Sequence, residues 1–287
     1  MSDFYHIYSN GTRADILFPG DEEKVYAVNS LAIGSNACDV NVLVFIINDT
    51  HFHLIASGSQ EDVLNYITYL KARISRFLIC KRQNRSALGT GFQISSDPIK
   101  DRDECLRKFM YVYRNCLDFY NGAPWTYPWG IGNILFNPNL SLIEGIHMGD
   151  LSHTAQRAMF GVRDKLPGGW RYDNRKMILP SSFVDISSVM QLFGSVRAFL
   201  AFLFVRKEDE QAMKQQVYSR QIEMRSLEDL RNLASGYAAK LYKKSLRVCL
   251  VTEKLQLARL MIKDKVAVKS VSLMKALYLR GEDMDLL

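Results

Sequence analysis

Two histidines in the segment NDTHFHLIASG are spaced so that they could share one metal ion. His51 and His53 are separated only by Phe52. The segment is typical of a β-strand, in which residues two positions apart project from the same face. We therefore expect the two imidazoles to lie side by side at a solvent-accessible site, where they would bind a divalent cation. The alternative is a pair of hydrogen-bonded histidines on a sheet face that binds nothing.

A phenol and an amide could complete that site. Tyr111 and Asn115 are four residues apart in a segment that predicts a helix over 101–121, so they share one helix face, while Tyr113 points elsewhere. Two imidazoles and one amide oxygen leave positions open for phosphate oxygens on a bound cation. A tyrosine beside such a cation is a candidate nucleophile. The alternative places Tyr111 at the edge of the core.

Hydrophobic patterning indicates the elements that must position these residues. The order β-α-β-β-α-β is followed by the helix at 101–121, and it predicts an α+β fold with a ferredoxin-like or RRM-like core and an antiparallel sheet with helices on one face. The predicted elements are strands at 4–10, 40–49, 50–58 and 89–99, and helices at 21–35 and 59–82.

The chain divides into three segments by composition. Residues 1–121 form the domain that carries the candidate site. Residues 122–180 are rich in Gly, Pro and Trp and predict an irregular connecting segment packed on that domain, while residues 181–287 predict a mostly helical region.

Charge is concentrated near the C-terminus. The net charge of the 287-residue chain is +7, yet residues 240–280 contain eleven Lys and Arg against two acidic residues. A basic block of this kind predicts a polyanionic partner such as nucleic acid. The alternative is a solvated helical surface that happens to be basic.

The cysteines and the apolar runs of the chain argue against a disulfide framework and against a membrane span. The five cysteines are scattered and include no C-x-x-C pair, which predicts reduced thiols and a cytoplasmic location. No uncharged apolar run is long enough to cross a membrane, so we expect no membrane association.

Four motifs occur in an order that resembles the single-tyrosine HUH transposases, and most closely their REP-associated branch. They are YHIYSNGTRADILF, VLVFIINDTHFHLI, YVYRNCLDF and YPWG, and the resemblance covers about residues 4–130. The chain departs from the family pattern at three places. The residues before the first histidine are Asn-Asp-Thr instead of Met-Pro-Asn, Tyr113 replaces a histidine, and Cys116 replaces a proline.

This resemblance implies an enzyme that cleaves and rejoins single-stranded or hairpin DNA. His51, His53 and Asn115 take the positions of the ligands of a Mg²⁺ or Mn²⁺ ion, and Tyr111 that of the catalytic nucleophile. Attack by Tyr111 would give a 5′-phosphotyrosine intermediate and a free 3′-hydroxyl. Reversal with another 3′-hydroxyl would transfer the strand, as in DNA transposition and recombination. We expect a monomer or a homodimer.

Basic and aromatic residues are candidates for gripping the DNA. Trp129 could stack on unpaired bases, or it could belong to the core. Residues 253–279 predict two short helices with exposed lysines, which suit either a helix-turn-helix module or a simple helical hairpin. The candidate basic residues are Lys71, Arg73, Arg76, Lys81, Arg82 and Arg85 on and after the second helix, and Lys265 and Lys269 near the C-terminus.

Two other functions remain open from the sequence. The first is a catalytically inactive or domesticated protein that binds nucleic acid through the same sheet. The second is a metal hydrolase that activates water and needs a carboxylate near the histidines, for which Asp49 is the nearest candidate.

Overall fold

The computed structural model describes residues 3–9, 16–82, 92–204, 226–264, 266–267, 269–280 and 283. Arg85 and Lys265 therefore lie outside the described residues. The chain forms two compact units. The first contains residues 3–9, 16–82 and 94–204, and the second contains residues 92–93 and those from 226 onward.

A four-stranded antiparallel sheet forms the centre of the first unit. Its strands lie in the order β2-β3-β1-β4. They are β1 (Asp3–Ser9), β2 (Asn41–Ile47), β3 (Phe52–Gly58) and β4 (Ile94–Ile99), and the first two helices are α1 (Asp21–Ala37) and α2 (Gln60–Arg82). The predicted α+β class with an antiparallel sheet is confirmed.

The helix that follows β4 is shorter than the sequence predicts. Helix α3 (Arg102–Arg114) begins at Asp101, whose side chain accepts a hydrogen bond from the backbone N–H of Glu104 at 2.8 Å. It ends at Arg114, because the backbone N–H of Asn115 turns to the carbonyl of Val112 and starts a 3₁₀ turn. The predicted helix over 101–121 therefore stops before Asn115.

Part of the remaining segment of the first unit covers the outer edge of β2. The Ile47 N–H donates to the Trp129 carbonyl at 2.8 Å, and the Tyr127 hydroxyl donates to the Ile47 carbonyl at 2.8 Å. The further elements are α4 (His153–Phe160), α5 (Pro180–Phe183), α6 (Ile186–Phe193), α7 (Val196–Phe204) and the pair β5 (Ile146–His147) and β6 (Arg171–Tyr172).

Helices α6 and α7 belong to this unit and not to a separate C-terminal region. Phe193 and Phe199 bring them against α3, with ring centres 5.1 Å from Phe109 and 5.7 Å from Tyr113 respectively. The boundary between the two units thus falls after residue 204, whereas the sequence grouped everything from residue 181 onward.

The second unit is helical, as its pattern predicts. It contains α8 (Leu227–Tyr242), α9 (Val251–Lys263) and α10 (Val271–Ala276). Ala234, Leu257 and Leu273, one from each helix, are fully buried in a shared core. Helices α9 and α10 are the two short helices expected within 253–279.

Among the described residues, no single helix has the length and apolar character needed to cross a membrane. The bent pair formed by α6 and α7, with an angle of 77° between them, meets that requirement only when the two are taken together.

Candidate active site

The two histidines of the H-x-H motif lie side by side, but they are not open to solvent as we expected. Strand β3 begins at Phe52, so His51 immediately precedes it. The ring centres of His51 and His53 are 4.7 Å apart and the ring planes are almost perpendicular, at 84°. His53 is fully buried, because it lies on an inner strand of the sheet under α3, while His51 is half-buried.

Tyr111 reaches the same face of the sheet. Its ring centre is 5.4 Å from that of His53, and its side chain is only 4% exposed. Asn115, in the 3₁₀ turn after α3, accepts a hydrogen bond from the Asn48 amide at 2.6 Å. Tyr113 points away, and its hydroxyl donates to the Gly132 carbonyl at 3.0 Å. The predicted separation of the two tyrosines is thus observed.

Asn48 connects the predicted residues and was not singled out from the sequence. Its amide nitrogen lies 3.2 Å from His51 Nε2 and 2.6 Å from Asn115 Oδ1. Thr50 Oγ1 lies 2.8 Å from His51 Nδ1. Since the amide donates to Nε2, we assign the ring proton of His51 to Nδ1, where the Thr50 oxygen accepts it. Asn48 could have been found only through its position at the turn between β2 and β3.

His6 is a third histidine of the cluster, which spacing along the chain did not reveal. Tyr8 pairs with His53 across β1 and β3, so His6, two residues earlier, shares their face. The His6 ring is stacked with His53 at 5.4 Å and meets the Tyr111 ring edge-on at 5.9 Å. Strand pairing, and not a local motif, brings it to the site.

Several polar atoms at this site are buried without a hydrogen-bond partner among the described residues. They are His6 Nε2, both ring nitrogens of His53, and Asn48 Oδ1. A buried polar atom left unpaired costs about 1–3 kcal/mol of stability. Such a concentration of unpaired acceptors and donors is typical of a place where an ion, a ligand or ordered water binds.

Burial keeps the three imidazoles neutral at pH 7. It lowers the pKa of His51 to about 4. Burial also lowers the pKa of His6 to about 3, with a further contribution from the charge of Lys108. The pKa of His53 lies well below its ordinary value because of burial and then of the two neighbouring histidines. Neutral imidazole is the form that binds a metal.

The two imidazoles could share one cation, whereas the amide oxygen of Asn115 accepts a hydrogen bond from Asn48 and would join them as a ligand only once the Asn48 amide turns away. A cation bound at about 2 Å to one nitrogen of each ring is compatible with the separation of the His51 and His53 rings. Within the described part of the chain, no cluster of three or more His, Cys, Asp or Glu side chains could hold a metal ion. Asp49 forms an ion pair with Lys24 at 2.7 Å, with its own side chain 58% exposed.

No protein-family model, curated protein or solved structure matches this chain. Only the motifs and the geometry of the site therefore bear on its function.

The basic residues of α2 that we predicted to contact DNA differ in their exposure and in their partners. Lys71 and Arg76 are exposed, and Lys81 forms an ion pair with Glu22 at 2.5 Å. Arg73 is half-buried and donates to the carbonyls of Phe160 and Gly161. Its guanidinium also lies 5.1 Å from the ring centre of Tyr26, so it joins α2 to other parts of the unit. The last residue of the helix is Arg82.

Trp129 is placed as the core alternative describes. It is 5% exposed, and the charged groups of Lys24 and Arg175 lie 5.8 Å and 5.1 Å from its ring. A ring buried to this extent is not open to stack on a base. Lys269 is exposed in the second unit.

Proposed function

We propose that this protein is a metal-dependent single-stranded DNA endonuclease and strand transferase that uses Tyr111 as its nucleophile. The observation that carries the proposal is the meeting of five residues from two distant segments of the chain. Tyr111 contacts the ring of His53, His53 lies beside His51, and Asn48 links His51 to Asn115. The motif order of the HUH transposases predicts this grouping.

The order of the strands supports the same proposal. The β-α-β-β-α-β succession and the sheet order β2-β3-β1-β4 are compatible with the ferredoxin-like core expected of that family. A cytoplasmic location, a monomeric or homodimeric state, and single-stranded or hairpin DNA as substrate stay predictions.

Each residue of the site has a distinct role in the proposed reaction. His51, His53 and Asn115 would hold the cation, and Mg²⁺ or Mn²⁺ would polarise the scissile phosphate when bound. The Tyr111 oxygen forms a bond to phosphorus as the bond from phosphorus to the 3′-oxygen breaks. The phenolic proton passes to solvent, and the 3′-oxygen takes up a proton to leave as a hydroxyl. The DNA stays attached through a 5′-phosphotyrosine.

The burial of the site favours a second candidate function. With Tyr111 4% exposed and His53 fully buried, a DNA strand reaches the phenol only after the side chains around it move. A protein that binds nucleic acid but has lost cleavage would need no such movement. The water-activating hydrolase has less support, because the Asp49 carboxylate pairs with Lys24.

A search for a covalent adduct tests the proposal. The full-length protein is incubated with a library of hairpin-bearing single-stranded DNA and Mn²⁺, denatured, and analysed for protein with attached DNA. We expect an adduct in the wild type and none in Tyr111→Phe, which keeps the ring and removes only the attacking oxygen. Tyr113→Phe is the matched control, because its hydroxyl bonds to Gly132 away from the site, and it should form the adduct.

The other outcomes separate the alternatives. His51→Ala and His53→Ala should bind DNA but form no adduct. An adduct in Tyr111→Phe would show that another group attacks. DNA binding with neither adduct nor cleavage in the wild type would favour the inactive binding protein, and cleavage without an adduct would favour the hydrolase.

A further inference from the structure

Three cationic side chains converge on one tyrosine in the second unit. Tyr278 follows α10 and is 44% exposed. The charged groups of Arg231, Arg247 and Lys254 lie 5.3, 5.9 and 5.7 Å from its ring centre. They come from α8, from the 3₁₀ turn Leu246–Val248 and from α9. We call these four residues the Tyr278 cluster.

No acidic group neutralises this cluster among the residues that the structure describes. The nearby Glu253 forms its ion pair with Lys244, at 2.9 Å. Lys254 is only 8% exposed, and the Nε atom of Arg231 is buried without a hydrogen-bond partner. Three like charges gathered around one ring repel each other, and the attraction of each cation to the ring offsets this repulsion only in part.

We propose that the Tyr278 cluster binds a phosphate group of a nucleic-acid backbone. A guanidinium presents paired N–H donors that match two phosphate oxygens, and a lysine ammonium adds a compact positive charge. A bound backbone phosphate, with its single negative charge, would offset part of the repulsion among the three cations and supply an acceptor to the orphaned Arg231 Nε. The net positive charge of this region favours a polyanion such as nucleic acid as the source of that phosphate.

The positive charge of the three cations also acts on the Tyr278 hydroxyl. A hydrogen bond with Arg247 lowers the pKa of Tyr278, and the charges of Arg247, Arg231 and Lys254 lower it further. The hydroxyl is thereby a better hydrogen-bond donor to an incoming anion. A free phosphate ion offers the same chemistry as a backbone phosphate, so the experiment must distinguish the two sources.

The test uses the full-length protein and two probes, inorganic phosphate and a fluorescent DNA duplex. Two variants remove one charge each from the cluster: Arg247→Gln at an exposed position, and Lys254→Met at a buried one. Lys275→Met is the matched control, because Lys275 is exposed on α10 and is not one of the three cations around Tyr278. Thermal unfolding measures phosphate binding, and fluorescence anisotropy at several salt concentrations measures DNA binding.

We expect phosphate to raise the melting temperature of the wild type and of Lys275→Met, but not of the two cluster variants. Both cluster variants should bind the duplex about tenfold more weakly, with the slope of log K against log salt reduced by about one. Without phosphate, Lys254→Met should melt higher than the wild type, because one repelling charge is gone.

Two results would overturn the proposal. If phosphate stabilises none of the proteins, or stabilises all four equally, the cluster does not bind phosphate. If phosphate protection disappears in the variants but duplex binding is unchanged, the site takes free phosphate and the assignment to a nucleic-acid backbone is wrong. Arg247→Gln keeps the test valid should Lys254→Met fail to fold. Neither variant touches Tyr111, so adduct formation on a short single strand tests the proposed cleavage separately.

Discussion

The Asn48 amide donates hydrogen bonds to the two atoms through which His51 and Asn115 would bind the proposed cation. These atoms are His51 Nε2 and Asn115 Oδ1, while the side-chain oxygen of Asn48 is buried without a partner. The amide therefore holds the two proposed ligands in place. Binding of a cation at these atoms requires the amide to turn away, so Asn48 and the cation compete for the same lone pairs.

Asn48→Ala should have opposite effects with and without metal. In EDTA the unfolding free energy should fall by about 1–3 kcal/mol, because two buried acceptors lose their donor. With Mn²⁺ the rise in melting temperature should exceed that of the wild type, since no amide has to be displaced. Thermal unfolding with EDTA and with Mn²⁺ measures both, and Asn65→Ala, an exposed position on α2, is the control. A smaller Mn²⁺ effect in Asn48→Ala would mean that Asn48 is itself a ligand.

At the residue scale, the sequence predicts which side chains share one element's face. The pairing of His51 with His53 and the separation of Tyr111 from Tyr113 both follow from strand and helix periods. His6 and Asn48 could not be predicted in this way, because strand pairing and a turn bring them to the site. The burial of the histidines could not be predicted either, since no local pattern shows that α3 packs over them.

At the element scale, the order of the first four strands and three helices could be predicted, but several of their ends could not. Periodicity places α3 and β3, yet α3 stops at Arg114 and β3 starts at Phe52, so Asn115 and His51 both lie just outside them. The tightening of α3 into a 3₁₀ turn depends on local hydrogen bonding that apolar spacing does not encode. The aromatic packing of α6 and α7 against α3 is equally invisible from spacing.

The three histidines between α3 and the sheet should make the free energy of unfolding depend on pH. His6, His51 and His53 have a lower pKa when folded than when unfolded, so the unfolded chain binds more protons as the pH falls below about 6.5. Their contribution is thus complete above about pH 6.5 and is lost as the pH falls, towards about pH 4 for His51 and about pH 3 for His6, by up to about 1.4 kcal/mol per pH unit for each histidine.

His6→Phe should weaken this dependence, because it keeps an aromatic ring against His53 and Tyr111 but cannot be protonated. Chemical unfolding in EDTA between pH 7 and pH 5 measures the slope. His147→Phe, at an exposed position in β5, is the matched control and should retain the wild-type slope. An unchanged slope in His6→Phe would show that the pKa of His6 does not change when the chain folds.

At the scale of the whole molecule, the net positive charge and the candidate active site lie in different parts of the chain. Residues 214–287 contain fifteen Lys and Arg against eight Asp and Glu, so they account for the entire net charge of +7. The candidate site lies wholly in the first unit. The sequence predicted the basic block but not this division, because the tie between residues 181–204 and the first unit is made by aromatic contacts with α3.

Deletion of residues 214–287 should separate DNA affinity from cleavage. A deletion from residue 240 would cut inside α8 and remove most of the core that α8 shares with α9 and α10, whereas a deletion from residue 214 removes all three helices of that core together. The first unit has its own core, so we expect residues 1–213 to unfold cooperatively. Their DNA binding should be weaker and less sensitive to salt, since the slope of log K falls by about 0.7–0.9 for each DNA phosphate that the protein no longer neutralises. At low salt the Tyr111 adduct should still form on a short hairpin-bearing strand. Anisotropy titrations across a salt series measure the slope, and an unchanged slope would show that residues 214–287 bind no phosphates.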